Sequence, residues 1–125
     1  MKKCFLTQKG PKAIGPYSTL TRAGGCCYVS GMLGVNPETG KLAEGVEAQA
    51  QQAFTNLRTV LEEIGLSTDA ILKTTVFLQD LNDFAKVNAI YAEFFGPNYP
   101  ARSCVEVARL PMGGLLEIEA IATEE

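Results

Sequence analysis

Residues 46–64 carry the longest periodic pattern in the chain. Val46, Ala50, Ala53, Leu57, Val60, Leu61 and Ile64 recur at steps of three and four. That spacing lines up one face of an α-helix. Gln49, Gln51, Gln52, Arg58, Glu62 and Glu63 fill much of the remainder, and Gly65 supplies a stop. A helix that is apolar on one side must lie on an apolar surface. The rest of the chain has to provide that surface.

Strand-like segments answer this need. Cys4–Thr7 reads as a first strand, followed by a Gly/Pro-rich loop over Lys9–Pro16. Tyr17–Arg22 and Cys26–Ser30 flank Gly24-Gly25, a hairpin signal. Asn36-Pro37-Glu38-Thr39-Gly40 is a turn by composition. Ile71–Gln79 is rich in β-branched residues. A second helix follows, capped by Asp80 or Asn82, ending at Gly96 and apolar along Phe84, Val87, Tyr91 and Phe94. Two more strands, Arg102–Ala108 and Leu116–Ala122, close the chain. The order is βββαβαββ. It predicts an α+β two-layer sandwich with both helices on one face of a mixed sheet. The other sheet face, with Cys104 and Ile121 among polar residues, is expected to be covered by other copies of the chain.

Residues 1–125 suit one domain with a real core. Net charge is −3 and there is no basic stripe, so an electrostatic footprint for nucleic acid is missing. No apolar run approaches the ~20 residues of a membrane span. The N-terminal residues lack a long apolar segment and do not read as a secretory signal. The expected location is cytoplasmic. Cys4, Cys26, Cys27 and Cys104 lack zinc-site spacing and read as reduced, mostly buried residues. The chain has no histidine, which removes Ser-His-Asp and Cys-His nucleophile pairs.

The last two strands hold a guanidinium and a carboxylate. Arg102, Cys104 and Glu106 share one strand face, opposite Val105 and Val107. Glu117, Glu119 and Ile121 share a face opposite Leu116, Ile118, Ala120 and Ala122. Both charges are expected on the faces away from the main apolar stripe. Arg102 is suited to gripping a small-molecule carboxylate, and Glu117 to ordering a water. An ordinary Arg102–Glu117 salt bridge, or two solvated side chains, is the plain alternative. If the strands form a hairpin with Arg109 opposite Leu115, Glu117 falls opposite Val107. It then lies five residues along from Arg102, roughly 17 Å at ~3.4 Å per residue. That offset favours a site assembled from two subunits.

Several segments together resemble the RidA/YjgF family. They are Ile14-Gly15-Pro16-Tyr17-Ser18, Ser30-Gly31, the Asn36–Gly40 turn, Lys73–Leu78 with Asp80–Phe84, Val87-Asn88, Pro100–Pro111 and Glu117–Ala122. The resemblance implies a chorismate-mutase-like fold and a homotrimer with an inner barrel and sites between subunits. It also implies cofactor-independent hydrolysis of 2-iminobutanoate, 2-iminopropanoate and their enamines to 2-oxo acids and ammonia. Pyridoxal-phosphate-dependent dehydratases release such intermediates.

By the same resemblance Arg102 grips the substrate carboxylate, Glu117 polarises water and Tyr17 is the pocket tyrosine. Ser30 and Gly31 form the pocket wall, Cys104 presents backbone to the ligand, and Asn88 lies near the site. Met32-Leu33-Gly34 departs from the family's Gln-Ile-Pro and is expected to alter pocket preference. Two other functions compete: a regulatory trimer that binds 2-oxo acids without chemistry, and an endoribonuclease or translation inhibitor. The acidic balance and missing histidine weigh against the latter.

Overall fold

Gly24 and Gly25 both take positive φ (59° and 79°), the conformation of a tight two-residue hairpin turn. They join β2 (Leu20–Ala23) to β3 (Cys26–Leu33), with Ala23 opposite Cys26. The computed structural model describes residues 1–125. The other elements are β1 (Lys3–Phe5), α1 (Val46–Glu63), β4 (Ile71–Leu78), α2 (Phe84–Phe95), β5 (Ala101–Glu106) and β6 (Leu116–Thr123). They form an α+β two-layer sandwich with a six-stranded mixed sheet ordered β1-β2-β3-β6-β4-β5. The expected architecture is the observed one.

The core lies between sheet and helices. Leu20, Leu78, Leu116 and Ile118 from the strands are fully buried, as are Phe54, Leu57 and Leu61 from α1. Phe54 anchors the helix pair, with its ring centroid 5.7 Å from Tyr91, 5.7 Å from Phe94 and 5.3 Å from Phe95.

Several expectations need correction. The final two strands do not form a hairpin. Strand β4 lies between them, antiparallel to β6 and parallel to β5. The crossover β4–α2–β5 carries β5 to the sheet edge, as a parallel connection requires. The roughly 17 Å offset built on a hairpin therefore does not apply. The expected Arg102 face is also reversed. Arg102 pairs with Thr74, which is fully buried under α2, so Arg102, Cys104 and Glu106 face the helix layer. Val105 is on the open face and 44% exposed.

On α2 the buried residues are Val87, Ile90, Tyr91 and Phe95, while Phe84 is exposed. Asp80 caps a single 3-10 turn, Leu81–Asp83, that precedes the helix. On α1, Gln49 lies outside the apolar stripe and is nonetheless buried. Met32 is buried in the core, so Leu33 is the residue of the Met32-Leu33-Gly34 departure that shares a face with Glu117.

Phe54→Ala removes the ring at which the helices meet. It should destabilise the fold by about 3–5 kcal/mol. Urea unfolding beside the unaltered protein checks this, and a loss below about 1 kcal/mol would contradict the anchoring role.

Candidate active site

Arg102 projects from β5 onto α2. Its Nη1 donates to Asn88 Oδ1 at 2.7 Å. Its Cζ lies 4.7 Å from the Tyr91 ring centroid and 5.5 Å from that of Phe84. Phe84, Asn88 and Tyr91 follow one another at i, i+4 and i+7, so a single helical stripe receives the guanidinium. Tyr91 is itself fixed by a buried hydrogen bond, 2.7 Å, to Thr74 Oγ1. At the other end of β5, Glu106 Oε1 accepts from Leu81 N at 2.8 Å and ties the strand to the start of the helical segment.

The chain's only ion pair is Arg22–Glu124. Arg102 therefore has no counter-ion. Asn88 engages one donor of a group that carries five. Cys104, two residues along on the same face, has its thiol pKa pushed up by burial against an opposing pull from Arg102. It is a poor candidate for a thiolate nucleophile.

Glu117 lies on the opposite, open face of the sheet, in a groove of about 770 Å³. Its neighbours in sequence, Leu116 and Ile118, are fully buried on the helix side. Strand β3 bulges beside it. Val29 pairs with Ala120 and Met32 with Ile118, so Ser30 and Gly31 together oppose Glu119. Bulges of this kind re-aim side chains next to functional sites. A Cβ on Gly31 would stand 2.6 Å from Glu117 Oε2. The bare glycine is what lets the carboxylate lie across β3. Burial raises the Glu117 pKa, and the negative charge of Glu119 adds to the effect.

Tyr17 sits at the groove rim and is 48% exposed, its hydroxyl accepting from Ile14 N at 3.4 Å. Ser30 Oγ donates to Ser18 O at 2.7 Å and ties that rim to the bulge.

The predicted residues thus divide into two groups. Tyr17, Ser30, Gly31 and Glu117 share the groove. Arg102, Asn88 and Cys104 cluster at the sheet edge under α2. Two strand spacings and three residues of register separate Arg102 from Glu117, roughly 14 Å between Cα atoms, with the side chains on opposite faces. The plain alternative of an Arg102–Glu117 salt bridge within one chain is excluded.

Sequence reasoning missed three contributors. The sequence pattern marks Tyr91 and Phe84 only as apolar residues, although their spacing with Asn88 is visible in it. Met112 lines the groove with φ at 60°, a left-handed conformation uncommon outside glycine, and the adjoining Gly113-Gly114 was the available signal.

The two most tightly packed glycines, Gly31 and Gly34, should respond differently to alanine. At Gly31 the obstructing atoms belong to the far end of the Glu117 side chain, which can move. At Gly34 the new Cβ would stand 2.5 Å from the backbone oxygen of Gln49. Gly31→Ala should change stability by less than about 1 kcal/mol and Gly34→Ala should cost about 1–3 kcal/mol. Parallel thermal unfolding checks this, and the reverse order would contradict it.

Residues 7–124 match the family described as Endoribonuclease L-PSP. The 2-iminobutanoate/2-iminopropanoate deaminase of Escherichia coli K12 is 50% identical, over 98% of both chains. The solved RidA of the Antarctic bacterium Psychrobacter sp. PAMC 21119 superposes with a TM-score of 0.94 at 43% identity, covering 97% of this chain and 98% of its own. Escherichia coli TdcF, solved with bound serine, gives a TM-score of 0.94 at 44% identity, covering 98% and 99%. With this agreement along nearly its whole length, the chain belongs to the RidA/YjgF family.

Proposed function

We propose that this protein hydrolyses 2-iminobutanoate, 2-iminopropanoate and their enamine tautomers to 2-oxo acids and ammonia. It does so as a homotrimer whose sites lie between copies. The observation that carries this reading is the Arg102 guanidinium. It is held by Asn88 and Tyr91, lacks a counter-ion, and faces away from Glu117. A fixed, unpaired cation suits a small carboxylate. Serine bound to TdcF is a ligand of that kind, and the deaminase relative supplies the reaction class.

The open sheet face supports assembly. It exposes Tyr28 by 48% and Val105 by 44%, beside Ile121 and Phe77. Packing three copies around these residues covers them and gives each Arg102 a neighbour's groove to meet.

In the proposed site Arg102 of one copy clamps the substrate carboxylate and fixes the imine carbon. Glu117 of the next copy accepts a hydrogen bond from water, which adds to that carbon. A proton passes to nitrogen with help from Tyr17. The C–N bond then breaks, ammonia leaves and the 2-oxo acid forms. An iminium carbon is already electrophilic, so orientation suffices without a histidine base. Asn88 orients Arg102, and Ser30 with Gly31 walls the groove. Leu33, cross-strand partner of Glu117, offers an apolar surface to the substrate's short alkyl chain. The free cysteines fit a reducing, cytoplasmic setting. The family's endoribonuclease description is the competing reading, and a net charge of −3 weighs against it.

Mixing subunits tests the arrangement. Arg102→Ala and Glu117→Gln proteins should each be inactive in a dehydratase-coupled imine assay. Unfolded together and reassembled in equal amounts, they should recover about a quarter of normal activity, because each mixed trimer contains one intact site. Hybrids that form and stay dead would sink the shared site.

The pH profile tests Glu117. The carboxylate form is the active one, so the rate is lost as pH falls through its raised pKa. Glu119→Gln removes a repelling charge and lowers that pKa. The acid limb of kcat/KM should therefore move to lower pH. An unmoved limb would remove Glu117 as the titrating group.

A further inference from the structure

Helix α1 carries two buried amide side chains that grip the backbone framing the groove. Gln49 is 5% exposed and Asn56 is 1% exposed. They stand seven residues apart, two turns along one helix face. Asn56 Nδ2 donates to Leu33 O at 3.1 Å and Val35 O at 2.8 Å, and its Oδ1 accepts from Gln52 Nε2 at 2.8 Å. Gln49 Nε2 donates to Ala43 O at 3.0 Å, while its Oε1 accepts from Leu115 N at 2.8 Å.

These bonds join three separate stretches: the end of β3, the loop after it, and the start of β6. Leu115 stands two residues before Glu117, and Gln79 N holds its carbonyl oxygen at 3.0 Å. Leu33 is the cross-strand partner of Glu117. Both ends of the Glu117 seat are therefore fixed from α1. Gly34 allows the approach, since any Cβ there would strike the Gln49 backbone. A buried amide is a costly way to fill a core-facing position unless its hydrogen bonds serve a purpose. One bonded through both its nitrogen and its oxygen, as Gln49 is, is a rigid strut.

We propose that Gln49 is a positioning residue, which through Leu115 and Ala43 sets where the Glu117 carboxylate rests over Gly31. The inference rests on the reading of Glu117 as the water-holding group. Gln49 shares no hydrogen bond with the Arg102 cluster, which hangs from β5 and α2. Its effect should therefore fall on turnover rather than on capture of the substrate carboxylate.

Gln49→Met keeps the side-chain length and removes both hydrogen bonds. In the full-length protein kcat should fall roughly 10- to 100-fold while KM stays within about threefold. The Glu117 carboxyl, followed by ¹³C NMR, should titrate at lower pH as it leaves its desolvated seat. Should Gln49→Met not fold, Gln49→Asn retains an amide too short to span both partners and should show the same two changes at smaller size. A folded variant with normal kcat and an unmoved Glu117 titration overturns the proposal, as does a loss confined to thermal stability. If the unaltered protein hydrolyses no imine, the deaminase reading fails, and the Glu117 titration alone decides the role of Gln49.

Discussion

The two faces of β6 impose one constraint on both the core and the candidate site. Leu116, Ile118 and Ala122 are fully buried against the helix layer, and Ala120 is 4% exposed. Strict alternation then sends Glu117 and Glu119 to the open face. A one-residue slip would drive both carboxylates into the core and expose the aliphatic row. The desolvation of even one unpaired carboxylate would outweigh any compensating contact. With β3 and β6 locked in register, the bulge at Ser30-Gly31 has only one place to form. Core packing therefore fixes the position of Glu117 before any ligand is considered.

The parts that were legible in the sequence were those with a local period. The face of α1 followed from steps of three and four, and the face of Glu117 followed from alternation. The side that β5 turns to the helices was not legible. Val105 and Val107 look like the inward residues by polarity. The edge position reverses this, because α2 there offers aromatic rings and Asn88, which can receive a guanidinium. Strand order was also hidden. A seven-residue link between strands reads as a hairpin unless the parallel crossover through α2 is already known. Gln49 was invisible for a related reason. Its partners, Ala43 and Leu115, are brought to it only by the folded chain.

Arg102 shows how a partly buried cation is tolerated without an anion. The Asn88 carbonyl contributes a charge-assisted hydrogen bond, worth about 1.5–3 kcal/mol. The faces of Tyr91 and Phe84 add cation–π attraction, on the order of 0.5–2 kcal/mol. Neither interaction neutralises the charge or occupies all five donors. The head group is held in place and stays electrostatically unsatisfied, which is the condition for binding a carboxylate in preference to a neutral molecule. Lysine would lose the planar stacking and the forked donor pair.

Separation of the two charges within one chain has a further consequence on the proposed reading. Were Arg102 and Glu117 within reach of each other in a single subunit, they would form a salt bridge. The guanidinium would then have to abandon an anion to bind one, and Glu117 would lose the raised pKa that its burial gives it. Opposite sheet faces prevent that pairing in the free subunit. In the proposed trimer the groups would meet only across a cleft, where the substrate carboxylate would occupy the guanidinium and water the glutamate. The sheet thus insulates the two halves of the proposed site from each other while each is held by its own side of the fold.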